Sequence, residues 1–167
     1  MAMVKERDLI NENKVLKEEI KILKLKNSEL EKVAYFDSLT GVYNRTWFYK
    51  NVNYNDRWYI SSVDLNNLKK VNDLRGHSYG DKFILETVNI LKNYGKVVRY
   101  GGDELIVLTK DKVLFDELNN LCLEDFSCGG VSISEYNNIA EAINKADERL
   151  YERKRSFYRE NLVTKGL

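Results

Sequence analysis

The chain has 167 residues, with 27 lysines and arginines against 26 aspartates and glutamates and a net charge of +1. That balance carries no electrostatic footprint for nucleic acid, no apolar run approaches the ~18 residues of a membrane span, and the charged start MAMVKERDLI does not read as a secretory leader. His77 is the single histidine, which excludes a histidine-rich metal site, and Cys122 and Cys128 lack metal-ligand spacing, so the reading is a cytoplasmic chain with reduced thiols, one disulfide being left open.

Residues 1–34 form the first predicted element. Leu9, Leu16, Leu23 and Leu30 recur every seven residues without an intervening glycine. With these leucines at d, the a positions are Glu6, Asn13, Ile20 and Asn27. In a parallel pair each g residue faces the e residue five places on in the partner, and Glu12–Lys17, Glu19–Lys24 and Lys26–Glu31 all attract. Asparagine at a with leucine at d favours an in-register, two-stranded parallel coil. The expectation is a homodimer through this coil. Val15, Ile22 and Leu25 lie off the seam, which leaves higher oligomers or packing against the rest of the chain open.

From residue 35 to 167 helices and strands alternate. The pattern predicts a helix near 45–54, a strand at 57–65 (RWYISSVDL) and helices near 67–74 and 79–94. Two apolar runs separated by Gly101-Gly102-Asp103-Glu104 follow (VVRYGGDELIVL, 97–108) and read as a β-hairpin, the glycines supplying the positive φ of a tight turn. A helix near 111–121, a strand near 126–134 and a last helix from 137 to 158 complete the order. The fold class is α+β: an antiparallel sheet with a central β-hairpin, helices covering one face, and the N-terminal coiled-coil helix before it.

Chemistry concentrates at one end of this predicted sheet. Strand 57–65 ends in Val63-Asp64-Leu65, and pairing it beside the hairpin brings Asp64 to the same end as Asp103 and Glu104. Carboxylates that close raise one another's pKa unless a cation compensates. Oxygen-only ligands point to Mg²⁺ or Mn²⁺, and acids in a turn are otherwise simply solvated. Asp64 is followed by NNLKKVNDLRGHSYGD, in which a strand runs into a helix start, Lys69 and Lys70 add positive charge, and Gly76 and Gly80 frame a turn. Asn72, His77 and Asp81 are hydrogen-bonding groups there; an acid such as Asp81 suits the N–H edge of guanine, or caps a helix.

Four blocks, DSLTGVYNR (37–45), DLNNLKKVNDLRGHSYGD (64–81), RYGGDEL (99–105) and ADERLYERK (146–154), together resemble the GGDEF family of diguanylate cyclases. The resemblance covers about residues 35–158 and implies a fold similar to polymerase palms and nucleotidyl cyclases. It implies that two GTP molecules, one per domain, are joined into cyclic di-GMP with release of two pyrophosphates, and that two domains must face one another. By motif position Asp64, the Leu65 carbonyl, Asp103 and Glu104 would be metal ligands, and Asp103 and Glu104 the catalytic acids. Asn72, His77 and Asp81 match guanine- and ribose-side positions, Lys69 and Lys154 phosphate contacts, and Gly101 and Gly102 a close approach of phosphate to backbone. Arg99 braces the hairpin. A catalytically degenerate GTP-binding sensor or interaction module is the alternative.

The departures are specific. Asn66 stands where many members carry a second aspartate, Leu105 replaces phenylalanine, and Phe157-Tyr158-Arg159 displaces an arginine that would contact phosphate. The segment Lys92-Asn93-Tyr94-Gly95 stands where the family's RxxD product-inhibition motif would begin, so feedback through it is expected to be absent. Asp81 favours GTP over ATP. Any input would act on the coil, from an upstream sensory domain or a bound partner.

Overall fold

The structure is a computed structural model that describes residues 2–53, 55–121 and 125–164. A long helix, α1 (Ala2–Tyr35), leads into a two-residue strand β1 (Tyr43–Asn44) and helix α2 (Arg45–Asn51). Strand β2 (Tyr59–Leu65) is followed by α3 (Leu68–Arg75) and α4 (His77–Leu91). The hairpin strands are β3 (Lys96–Arg99) and β4 (Glu104–Thr109). Helix α5 (Lys112–Asn120), strand β5 (Phe126–Ser132) and helix α6 (Ile139–Thr164) complete the order. Cys122 lies outside the described residues, so the disulfide question does too; Cys128 is buried with its thiol against the Leu118 carbonyl.

The five strands run in the order β1-β3-β4-β2-β5. All neighbours pair antiparallel except β1 with β3, which are parallel through Tyr43↔Val98 and Asn44↔Arg99. Two residues carry no period, which is why the pattern does not announce β1. A second difference concerns the faces. Helices cover both faces of the sheet, where one was expected. Val63, Leu65, Leu105 and Val107 pack on Ile84, Val88 and Leu91 of α4 and Leu118 of α5. Ile60, Val98, Ile106, Leu108 and Val131 pack on Phe48 of α2 and Ala142, Ile143 and Ala146 of α6. Successive side chains on a strand point to opposite faces, so a run such as LIVL, apolar at every position, requires cover on both.

Caps hold the short helices in place. The Asn44 side chain accepts from Trp47 N–H at the start of α2, and the Asp111 carboxylate accepts from Val113 and Leu114 N–H at the start of α5. Asn67 sits in the left-handed region at φ 61, turning the chain from β2 into α3, and makes no side-chain cap bond. Strand β5 lies so close to α6 that a Cβ on Gly129 would fall 2.1 Å from the Leu150 nitrogen. Helix α4 begins at His77, two residues earlier than expected, so Gly80 is inside it rather than in a turn. A Cβ on Gly80 would meet the Asn72 side chain at 1.9 Å, so this glycine is the space in which α3 and α4 meet.

Helix α1 keeps its apolar side chains in solvent: Leu16 is 48% exposed and Leu30 67%. It does not fold back on the sheet. Its last turn is tied to the domain by Asn44 Nδ2, which donates to the Ala34 carbonyl at 3.0 Å, and by Lys50, which donates to the Tyr35 hydroxyl. A helix with this heptad seam left open fits a coiled coil.

Candidate active site

The register of β2 on β4 sets the site. Asp64, the penultimate residue of β2, is the direct cross-strand partner of Glu104, the first residue of β4. The Asp64 Oδ1 atom is buried and accepts no well-directed hydrogen bond, while the Lys154 ammonium of α6 stands 2.5 Å away. Burial pushes the Asp64 carboxyl above its ordinary value, the adjacent Lys154 ammonium pulls it down, and the Asp103 charge raises it again; the net shift is upward. One ammonium does not offset what the carboxylate loses by leaving water.

Glu104 folds back over its own loop. A Cβ on Gly101 would meet Glu104 Oε2 at 2.5 Å, whereas one on Gly102 would meet nothing within 4 Å. Neither glycine adopts the positive φ expected for this turn, which among the described glycines occurs at Gly41, Gly76 and Gly95. The loop is closed instead by Tyr100 and Gly101 N–H, both donating to the Glu104 carbonyl. Gly101 therefore supplies room for a carboxylate, not an unusual backbone.

The expected convergence of three carboxylates is not met: among the described residues no group of three or more His, Cys, Asp or Glu side chains is placed to hold a metal ion. Asp64 and Glu104 open onto a hollow of about 220 Å³ on the α6 face, together with Ser62, Tyr100 and Asp147. Asp103 instead lines a wider cleft of about 510 Å³ beside α3, with Leu65, Lys69, Lys70, Lys154 and Tyr158. Adjacent residues at a strand start diverge, and Asp103 and Glu104 do so. Lys154 lines the cleft while pairing with Asp64, which joins the two spaces.

Four of the expected residues thus share the cleft: Leu65, Lys69, Asp103 and Lys154. Gly102 is exposed at the loop tip, and His77 and Asp81 are exposed on the first turns of α4, outside the cleft wall. Asn72 is half-buried with its Oδ1 unpartnered and turned towards Gly80. Asn66 has a structural place. It is 2% exposed, and its Oδ1 accepts from the Ser127 hydroxyl at 3.0 Å, tying β2 to β5. Tyr158, in the altered segment, stands on the cleft where it meets α6.

Arg99 does brace the hairpin, through a partner that the sequence does not announce. Its Nε and Nη2 donate to the Gly102 carbonyl at 3.1 and 2.8 Å, and its Nη1 to Asp37 Oδ1 at 3.0 Å. Burial alone would raise the Asp37 carboxyl, but the Thr40 side-chain and backbone donors and Arg99 hold it below its ordinary value. Asp37 lies two residues beyond the end of α1, so one guanidinium connects the foot of that helix to the glycine loop. Beside it Arg45 stacks over Tyr100, whose hydroxyl, bonded to Tyr49, is pushed up to about 12, mainly by burial.

Comparisons with known proteins bear on the family and the fold. The family model for the diguanylate cyclase GGDEF domain matches residues 34–123. The diguanylate cyclase DgcP of Escherichia coli (strain K12) is 37% identical over 95 residues, 50% of this chain and 28% of DgcP. The probable diguanylate cyclase DgcI of the same strain is 30% identical over 141 residues, 74% of this chain and 32% of DgcI. The chain therefore spans less than a third of the length of these curated relatives. The solved coiled coil and GGDEF domain of DgcB from Caulobacter crescentus, in complex with c-di-GMP, matches in fold with a TM-score of 0.71 at 20% identity, over 89% of this chain and 95% of that one. A strand-end aspartate opposite the acid of a glycine hairpin, inside a matched stretch that is more than half of the sequence, makes this chain a member of the GGDEF-domain family of diguanylate cyclases.

Proposed function

We propose that the chain is a diguanylate cyclase that condenses two GTP molecules into cyclic di-GMP, releasing two pyrophosphates, as a homodimer with one GTP per domain. The observation that carries this reading is the Asp64–Glu104 cross-strand pair, half-compensated by Lys154 at the lip of a lysine-lined cleft. The all-oxygen donors and the buried, undirected Oδ1 of Asp64 fit a hard divalent cation, Mg²⁺ or Mn²⁺. Asp64 and Glu104 would hold it from the hollow, and the Leu65 carbonyl and Asp103 from the side of the adjoining cleft. Bound there, the ion would neutralise phosphate charge and acidify the attacking 3′-hydroxyl.

The chain's own groups do the rest. Lys69 and Lys154 bind the phosphates, and the uncapped start of α3 adds backbone N–H groups directed at anionic oxygens. Gly102 leaves the loop tip open to a phosphate. Asn72, His77 and Asp81 hold the guanine and ribose, Asp81 selecting GTP, with the nucleotide reaching over α3 to the first turns of α4. Asp103, exposed on the cleft, takes the proton of the 3′-hydroxyl. The reaction needs a partner domain, because the nucleophile of each bond belongs to the GTP held opposite; helix α1 supplies it by coiling with its copy. GTP as substrate places the reaction in the cytoplasm. Feedback through residues 92–95 is absent in this reading, since Lys92 and Gly95 stand where the motif's arginine and aspartate would be.

A second reading rests on Tyr158, which puts a phenol where the resemblance implies an arginine on phosphate. It makes the chain a GTP-binding module without turnover. Incubation of the dimer with GTP and Mg²⁺, followed by mass spectrometry, separates the two. Cyclic di-GMP is the expected product; GTP bound and returned unchanged by a folded dimer would favour the second reading.

A further inference from the structure

Two serines stand side by side in the middle of β2, and their hydroxyls end differently. Both are buried, Ser61 at 1% exposure and Ser62 at 4%, and successive strand residues point to opposite faces. The Ser61 hydroxyl, on the α5 side, accepts from Asn119 Nδ2 at 2.9 Å. Ser62 lies on the α6 side, the face on which Ile60 joins Ile143 and Ala146. Its hydroxyl has no hydrogen-bond partner. Among the described residues three buried side-chain polar atoms lack a directed hydrogen bond: Asn72 Oδ1, Asp64 Oδ1 and Ser62 Oγ. The last two line one hollow, the space of about 220 Å³ that also meets Tyr100, Glu104 and Asp147. The Tyr100 phenol is engaged with Tyr49, and Glu104 folds back towards Gly101. The other lining residues are aliphatic, and their side chains offer a hydroxyl nothing. Valine suits a central strand better and buries no polar atom, so packing alone does not account for a serine here.

We propose that Ser62 is a positioning residue for Asp64, its hydroxyl fixing that carboxylate, through a water in the hollow, in the setting that binds a divalent cation. The inference rests on the proposed metal role of Asp64 and Glu104. A water takes about 30 Å³ in the liquid, so the hollow has room for it. A hydroxyl both donates and accepts, and a water bonded to Ser62 can donate in turn to Asp64 Oδ1. Both orphaned oxygens are then satisfied by one small molecule. Lys154 restrains Asp64 from the cleft, and the hydroxyl restrains it from the hollow. Groups that orient a metal-binding carboxylate set the affinity of the site nearly as strongly as the carboxylate does.

The test is titration of Mn²⁺ into the full chain with a non-hydrolysable GTP analogue, read by electron paramagnetic resonance. Three variants bracket the hydroxyl. Ser62→Thr keeps it and adds a methyl group on the side of the hollow, Ser62→Val has the same shape without it, and Ser62→Ala removes it without adding bulk. Ser62→Thr should bind Mn²⁺ within about twofold of wild type, whereas Ser62→Val and Ser62→Ala should each weaken binding about tenfold. Affinity for the analogue without a divalent ion should be the same in all four proteins. Wild-type Mn²⁺ binding by Ser62→Val and Ser62→Ala overturns the proposal. An equal loss in all three variants overturns it too, by making shape rather than the hydroxyl the cause, as does a loss of metal-free analogue binding, which would make Ser62 a nucleotide contact. A wild type that binds no Mn²⁺ refutes the metal reading itself, and the inference falls with it.

Discussion

Two aspartates of this chain each face one cation, and they end in opposite states. Asp37 meets Arg99 at 3.0 Å and is also bonded by Thr40 through its backbone and hydroxyl, so its carboxyl is held below the ordinary value. Asp64 meets Lys154 at 2.5 Å, lacks a directed hydrogen bond at its buried oxygen, and is raised. Burial opposes the charge at both. The difference is the number of donors aimed at the oxygen, and it separates an interaction that stabilises the fold from one that the fold tolerates for its use. In the function proposed above, the unrelieved cost at Asp64 belongs to the metal site and the solved pair at Asp37 to the fold.

The largest expected effect breaks the comparison at its functional end. Asp64→Asn and Glu104→Gln should each lower cyclic di-GMP formation by roughly 100-fold or more, the scale of removing one group that stabilises transition-state charge. Asp64→Asn should do so without lowering the thermal midpoint, because it removes a carboxylate that burial disfavours. A cyclase assay alongside thermal melting checks both halves; an active Asp64→Asn variant would remove the aspartate from the chemistry.

Asp37→Asn is the converse. It should cost about 1–3 kcal/mol of stability, since it leaves the Arg99 guanidinium, 16% exposed, without its carboxylate. Activity should fall less, by about tenfold, through a loosened Gly102 loop. Chemical denaturation and a steady-state assay on the same samples would show the reversed ratio. Insertions between Lys32 and Asp37, which rotate the coil relative to this brace, should alter activity in a length-dependent way at nearly constant stability. Indifference to every insertion length would disconnect α1 from the site.

The smallest effect is in pH, and its sign differs at the two positions. Asp37 is depressed in the folded state, so its contribution is fully present above the unfolded value near 3.8 and is lost as pH falls through its folded value. Asp64 is raised, so the folded state favours its protonated form and stability declines as pH climbs from 3.8 through its folded value. Stability curves of the two asparagine variants, each subtracted from wild type, should rise with pH below 3.8 for Asp37 and fall with pH above 3.8 for Asp64.

Much of this is legible in the sequence. Heptad leucines announce α1, alternating and continuous apolar runs announce β2 to β5, and the block order announces the family. The register that sets Asp64 opposite Glu104 follows from placing two strand ends together. What is hidden depends on distance along the chain. Arg99 and Asp37 are 62 residues apart, and the strand formed by Tyr43 and Asn44 is too short to show a period. Gly101 and Gly80 look like turn glycines, whereas each makes room for a side chain, Glu104 and Asn72. The continuous run LIVL does signal cover on both faces, a signal that the hairpin reading alone passes over.

The central claim is that the Asp64–Glu104 pair, which Lys154 compensates only in part, takes a divalent cation to complete it. Titrating Mn²⁺ into the protein with a non-hydrolysable GTP analogue, followed by electron paramagnetic resonance, tests this directly. The account predicts nucleotide-dependent Mn²⁺ binding that Asp64→Asn or Glu104→Gln weakens at least about tenfold. Binding of equal strength in wild type and both variants would contradict it.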